Sequence, residues 1–187
     1  MNTPVISFNS SGILKITTKG LNVIIVLFST FLIAVLAQIS IPIPFSPVPI
    51  TGQTIGVVLV GSLLGSKKGA AAICLYIFEG VIGLPVFAQM KAGPHVLFGP
   101  TAGYIFGFII AAYIAGIFSE KGFTKNPTQC FVSCFISTTI ILFSGALYIS
   151  FFKGINDALI LGFYPFLVGD VIKSGAAALL ITSLRRV

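Results

Sequence analysis

The sequence predicts an all-α membrane protein: a compact bundle of six transmembrane helices with both termini cytoplasmic. Three observations carry that expectation. Of 187 residues, 56% are hydrophobic and 8% charged, with a mean hydropathy of +1.09, whereas a soluble domain carries about 25% charged residues. The 47 positions between Lys19 and Lys67 hold no charged side chain, more than twice the ~20 apolar residues that one crossing needs. The cations, which give a formal net charge of +7, sit at the ends of apolar runs instead of forming the surface patch that nucleic acid requires. A soluble enzyme, a nucleic-acid module and a disordered tail are excluded together.

The first run, residues 21–41, follows Lys15 and Lys19 as a signal peptide would. It is longer than an h-region of about 7–15 residues and has no Ala-x-Ala site before the prolines, so it is expected to be retained. Its small residues include Thr30 and Ala34, a small-xxx-small spacing that allows close helix approach. Ordinary packing and a docking face for another membrane subunit both fit that spacing. The second run covers residues 50–66. Near its end, the stretch from Gly61 to Lys67 resembles a phosphate loop only superficially: the spacing is wrong and no strand precedes it. If ATP powers this protein, another subunit must bind it.

Lys67 and Lys68 separate that run from the third, residues 69–87, and the fourth spans residues 101–119. Lys121 and Lys125 precede the fifth, residues 128–152, and the sixth covers residues 158–184 before Arg185 and Arg186. With six crossings, one side collects Lys15, Lys19, Lys67, Lys68, Lys121, Lys125, Arg185 and Arg186, and the other only Lys91 and Lys153. That asymmetry assigns both termini to the cytoplasm. Residues 1–20 then form a cytoplasmic segment and 21–187 a single membrane domain. Residues 1–95 and 96–187 show no repeat of the kind found in two-halved carriers.

Two outer loops stand out. Pro42, Pro44, Pro47 and Pro49 stiffen the first, because each fixes φ and disfavours helix at its predecessor. The second repeats this Pro/Gly/aromatic character from Leu84-Pro85-Val86-Phe87-Ala88 to Gly99-Pro100-Thr101-Ala102-Gly103-Tyr104. Both fall on one face; the first fits either a rigid helix connector or a lid or wall for a ligand, and two such loops could cover a shared cavity. Cys74, Cys130 and Cys134 lie inside apolar runs with no Cys-x-x-Cys spacing, and so are expected to be packing residues. His95 has no ligand partner at metal-binding spacing, so no metal site is expected.

Glu79, Asp170 and Lys173 are ionisable residues inside the runs, where each charge costs ~2.5–3.5 kcal/mol to insert. Asp170 and Lys173 are three residues apart, on one helix face and about 4.5 Å apart along the axis. A buried ion pair is seldom more stabilising than apolar residues of the same volume, and Gly169, Ser174 and Gly175 leave room beside it. The pair therefore suits a neutral ligand carrying both N–H and C=O groups, such as a urea or an amide. Glu79 is open to several roles: capping a lysine, lining the cavity, carrying a proton, or sitting as an uncharged acid.

The run Pro42-Ile43-Pro44-Phe45-Ser46-Pro47-Val48-Pro49-Ile50-Thr51-x-Gln53-Thr54 resembles the first-loop signature of the BioY family, biotin-binding S components of energy-coupling factor transporters. The likeness continues through Gly61-x-x-Leu64-Gly65-x-x-x-Gly69-Ala70, Tyr76, and Gly80-x-Ile82-Gly83-Leu84-Pro85-Val86-Phe87. It then takes in Gly99-Pro100-Thr101-x-Gly103-Tyr104 and Gly169-Asp170-x-x-Lys173, covering about residues 20–185. The resemblance implies a substrate-capture subunit in a prokaryotic plasma membrane, docked on a transmembrane coupling protein with two ATPases. It also implies that Asp170 accepts the ureido N–H groups of biotin and that Lys173 donates to the ureido oxygen. Phe45, Gln53, Lys91 and Tyr104 become candidates for walling the bicyclic ring or holding the valerate tail, Lys91 as the cation for its carboxylate. Where the family has Ala-xxx-Ala on the first helix, this chain has Thr30-xxx-Ala34 for docking. No catalytic residue, cofactor or nucleic acid is implied, and biotin enters as transported ligand. The chief rival is a stand-alone proton-coupled carrier using Glu79 or Asp170; an intramembrane enzyme lacks any visible nucleophile–base or metal set.

Overall fold

The computed structural model describes residues 6–8, 14–16 and 19–185. Arg186 lies outside the described residues, and of Lys15 and Lys19 only the backbone is described. A short antiparallel pair, β1 (Ile6–Phe8) and β2 (Leu14–Ile16), precedes the first helix. Seven α-helices follow among the described residues: α1 (Lys19–Gln38), α2 (Gln53–Leu64), α3 (Ser66–Val81), α4 (Ala102–Glu120), α5 (Pro127–Lys153), α6 (Ile155–Gly162) and α7 (Tyr164–Leu184).

Four of them, α1, α4, α5 and α7, are long and apolar enough to cross a membrane. At 1.5 Å per residue, the 12 residues of α2 span only about 18 Å and the 16 of α3 about 24 Å, against a hydrocarbon core of about 30 Å. The apolar runs of residues 50–66 and 69–87 are thus longer than the helices they contain, because their outer ends belong to the loops.

The single helix expected over residues 158–184 is divided in two. Pro165 has no N–H to donate to the carbonyl four residues back, that of Leu161, and the backbone breaks at Phe163 (φ −124°, ψ −64°). Freed carbonyls inside a membrane must be met by neighbours. Here Ser46 Oγ donates to Leu161 O at 2.6 Å and Tyr104 Oη donates to Gly162 O at 2.5 Å. The proline of one run therefore fixes both the first loop and α4 against it.

Helix α4 is the centre of the bundle, packed on α2, α3 and α5. Gly145 of α5 makes room for the ring of Tyr104, since a Cβ there would stand 2.2 Å from it. The main core joins Val57, Ile73, Tyr76, Phe87, Phe108 and Ile141, and a second gathers Cys130, Cys134, Ala177 and Ile181 between α5 and α7. All three cysteines are free. Helix α1 lies at the edge against α2 and α3 and turns Val23, Leu27, Phe28, Phe31 and Val35 outward.

One end of the bundle is basic, with Lys67, Lys68, Lys121 and Lys125 exposed. There Glu120 Oε1 accepts from the Ser66 N–H (2.7 Å) and hydroxyl (2.8 Å), putting a carboxylate at the positive end of α3. Arg185 Nη2 donates to Ser62 O and Ser119 Oγ, joining the ends of α2, α4 and α7.

Candidate functional site

The opposite end holds the cavity, and both loops shape it. The first loop leaves α1 through a two-residue antiparallel pair, β3 (Ser40–Ile41) and β4 (Ile50–Thr51), so that it returns directly to α2. Within it the Ser46 N–H donates to Ile43 O at 3.2 Å, closing a turn with Pro44 and Phe45 at its corners. A corner side chain points away from the turn, and Phe45 is 62% exposed and absent from the cavity wall. The loop presents Val48 and Pro49 to the cavity instead, a correction to the expectation for Phe45.

The second loop enters as Phe87, which stands edge-on to Tyr76 with ring centroids 5.7 Å apart. Gly80 of α3 is the reason it fits: a Cβ there would meet the Phe87 ring at 2.2 Å. Beyond Phe87 the chain makes a 3-10 turn over Ala88–Met90, with Gln89 (φ 62°) and Met90 (φ 57°) in the left-handed region that non-glycine residues rarely adopt. Gln38, the last residue of α1, holds this conformation. Its Nε2 donates to Phe87 O (3.2 Å) and Ala34 O (3.0 Å), while its Oε1 accepts from the Met90 N–H (3.0 Å).

Between the loops and α2, α4, α5 and α7 lies a hollow of about 660 Å³ of atom-free space, mouth included. Its walls are largely apolar, with Phe108, Ile141, Leu142 and Phe166 among them, and a few polar groups converge on it. That composition is typical of a small-molecule site.

Four of the residues expected at the site line it: Gln53, Lys91, Tyr104 and Lys173. Lys173 is half-buried and donates a hydrogen bond to no described residue. Gln53 is buried at the start of α2, its Nε2 donating to Tyr76 Oη at 2.6 Å. Lys91 is exposed at the mouth. Asp170 is 4% exposed and stands behind the wall, where the Thr139 hydroxyl donates to its Oδ2 at 3.1 Å. It closes no ion pair with Lys173, although the two charges act on each other at longer range. Glu79 lies away from the cavity and accepts from Thr30 Oγ1 at 3.0 Å. Thr30 is accordingly 2% exposed and turned into the bundle, not onto an outer docking face; Ala34 is half-buried.

Thr139, Tyr76 and Phe87 received no role at the site from the sequence. Thr139 gives no signal in its polar Ser137-Thr138-Thr139 stretch. Phe87 closes the Leu-Pro-Val-Phe motif, and its place in that motif is the signal that points to it.

A model of the BioY family matches residues 9–187. A relative described as "Biotin transporter BioY" from Thermotoga maritima is 40% identical over 159 residues, covering 84% of this chain and 91% of its own. "Probable biotin transporter BioY" from Pyrococcus horikoshii is 36% identical over 167 residues, covering 89% and 98%. Among solved structures, the S-component for biotin from an ECF-type ABC transporter superposes with a TM-score of 0.82 at 28% identity, over 91% of this chain and 95% of that one. The relatives so described are transporters rather than enzymes, and with several long apolar helices the chain is a multi-pass membrane protein.

Proposed function

The chain belongs to the BioY family, and from that premise we propose that it captures biotin at the outer face of a prokaryotic plasma membrane as the S component of an ECF-type importer. A transmembrane coupling protein and two ATPases complete the machine. The observation that carries this reading is the mostly apolar hollow beneath two loops, with Lys173 on its wall and hydrogen-bonded to no described residue. Apolar walls receive the ring system, and hydrogen bonds to charged partners, ~1.5–3 kcal/mol each, select the ureido group. Lys173 donates to the ureido oxygen. Asp170, one turn away on α7, accepts ureido N–H when its carboxylate swings from Thr139 toward the cavity. Lys91 at the mouth faces the valerate carboxylate, and Gln53 and Tyr104 complete the wall.

The topology that fits this role has six crossings, α2 and α3 completed by their loops and α6 with α7 counted as one. Residues 21–187 then form the membrane domain, and the basic end faces the cytoplasm with both termini. The outward stripe of α1, with Ala34 at its edge, is the face for the coupling protein. The test is radiolabelled biotin binding to the purified chain in detergent. Asp170→Asn and Lys173→Ala should each weaken binding at least tenfold, and unchanged affinity in both would remove them from the site.

A further inference from the structure

Tyr76 is fully buried on α3, and its hydroxyl makes two hydrogen bonds. It lies 2.8 Å from Val86 O, a backbone carbonyl that can only accept, so the single hydroxyl hydrogen is committed there. The Tyr76 oxygen is left as an acceptor. Gln53, 2.6 Å away, must therefore present its NH₂ to it, because the opposite amide orientation would set two acceptor oxygens against each other. No described residue donates to the remaining Gln53 oxygen, Oε1. That atom is not sealed in the packing as the Thr54 hydroxyl is, and Gln53 is one of the residues that line the cavity.

We infer that Tyr76 is a positioning residue that fixes Gln53 Oε1 as an acceptor in the cavity, so that the site demands an N–H donor from its ligand there. This rests on the cavity being the biotin site, and it adds a second, uncharged reader of the ureido N–H groups. A ligand presenting only acceptors at that point would leave Oε1 unpaired, which is how polar sites reject close analogues.

The test measures tritiated biotin affinity of the purified full chain in detergent for Tyr76→Phe, Gln53→Leu, the double variant and Lys173→Ala. Phenylalanine keeps the ring beside Phe87 while removing the relay. Each single substitution should weaken binding about tenfold, the scale of one neutral hydrogen bond. The double variant should be no weaker than Gln53→Leu alone, because Tyr76 acts only through Gln53. Additive losses, or a Gln53→Leu affinity within twofold of the parent, would overturn the inference. Should Tyr76→Phe not fold, biotin methylated on its ureido nitrogens supplies the second arm: Gln53→Leu should cost nothing further with that analogue. An equal loss with both ligands would overturn the inference as well. Full affinity in Lys173→Ala would instead remove the cavity as the biotin site, a failure separate from that of the relay.

Discussion

Gly80→Ala tests whether the second loop is held in place by fit. A Cβ on Gly80 would lie 2.2 Å from the Phe87 ring, and ordinary contact begins near 3.4 Å, so the ring must retreat by about 1.2 Å. It has little freedom to do so. Phe87 is 2% exposed and stands edge-on to Tyr76, its N–H donates to Lys91 O, and its carbonyl is bonded to Gln38. Replacing glycine by alanine inside a helix normally stabilises by roughly 0.5–1 kcal/mol, whereas overpacking costs about 1–3 kcal/mol. The clash should win by about 1–2 kcal/mol, and the displaced Phe87 carries the strain into the cavity wall. Biotin affinity should then fall about 5- to 30-fold, at 1.36 kcal/mol per decade. The assay is biotin titration with thermal unfolding in detergent, and Gly20→Ala on α1, with open space around its Cβ, is the control. A Gly80→Ala protein that unfolds no lower than the parent and binds biotin within twofold refutes the reasoning.

Lys91→Ala should weaken biotin about 2- to 5-fold, more at low salt, since an exposed cation contributes ~1 kcal/mol at most. A biotin amide lacking the carboxylate should bind both proteins equally, as competition titrations at two ionic strengths would reveal. Glu120→Ala leaves the Ser66 N–H and hydroxyl without their acceptor, and should cost about 1–2 kcal/mol of stability with affinity unchanged; chemical unfolding in detergent reads the first and titration the second. Ser46→Ala removes the donor to Leu161 O, loosening the first loop from α6. Chase experiments should show biotin leaving severalfold faster.

The long apolar helices were legible because a membrane helix needs only length and apolar character, which are local properties; α1, α4 and α5 fall within three residues of the expected runs. The division of the sixth run was written in Pro165 but masked by unbroken hydrophobicity around it. Of the site, the two loops and the polar wall residues Gln53, Lys91, Tyr104 and Lys173 could be read from composition and motif. The rest depends on partners far apart in sequence. Phe45 turns outward because of a three-residue hydrogen bond, Asp170 is drawn behind the wall by Thr139 on another helix, and Thr30 is drawn inward by Glu79. Tyr76 shows its role only once Val86 and Gln53 are seen on either side of its hydroxyl.

The amide of Gln38 ties a peripheral helix to the roof of the hollow. Its two hydrogen bonds to that loop, to Phe87 O and from the Met90 N–H, tolerate well under 1 Å of displacement, whereas α1 is about 30 Å long at 1.5 Å per residue. A swing of α1 about its far end by only about 2° therefore moves Gln38 by roughly 1 Å, enough to let go of residues 87–90. Once released, Gln89 and Met90 have every reason to leave their left-handed backbone. Leverage of this kind means that whatever leans on the outermost helix is felt first at the mouth above Lys91.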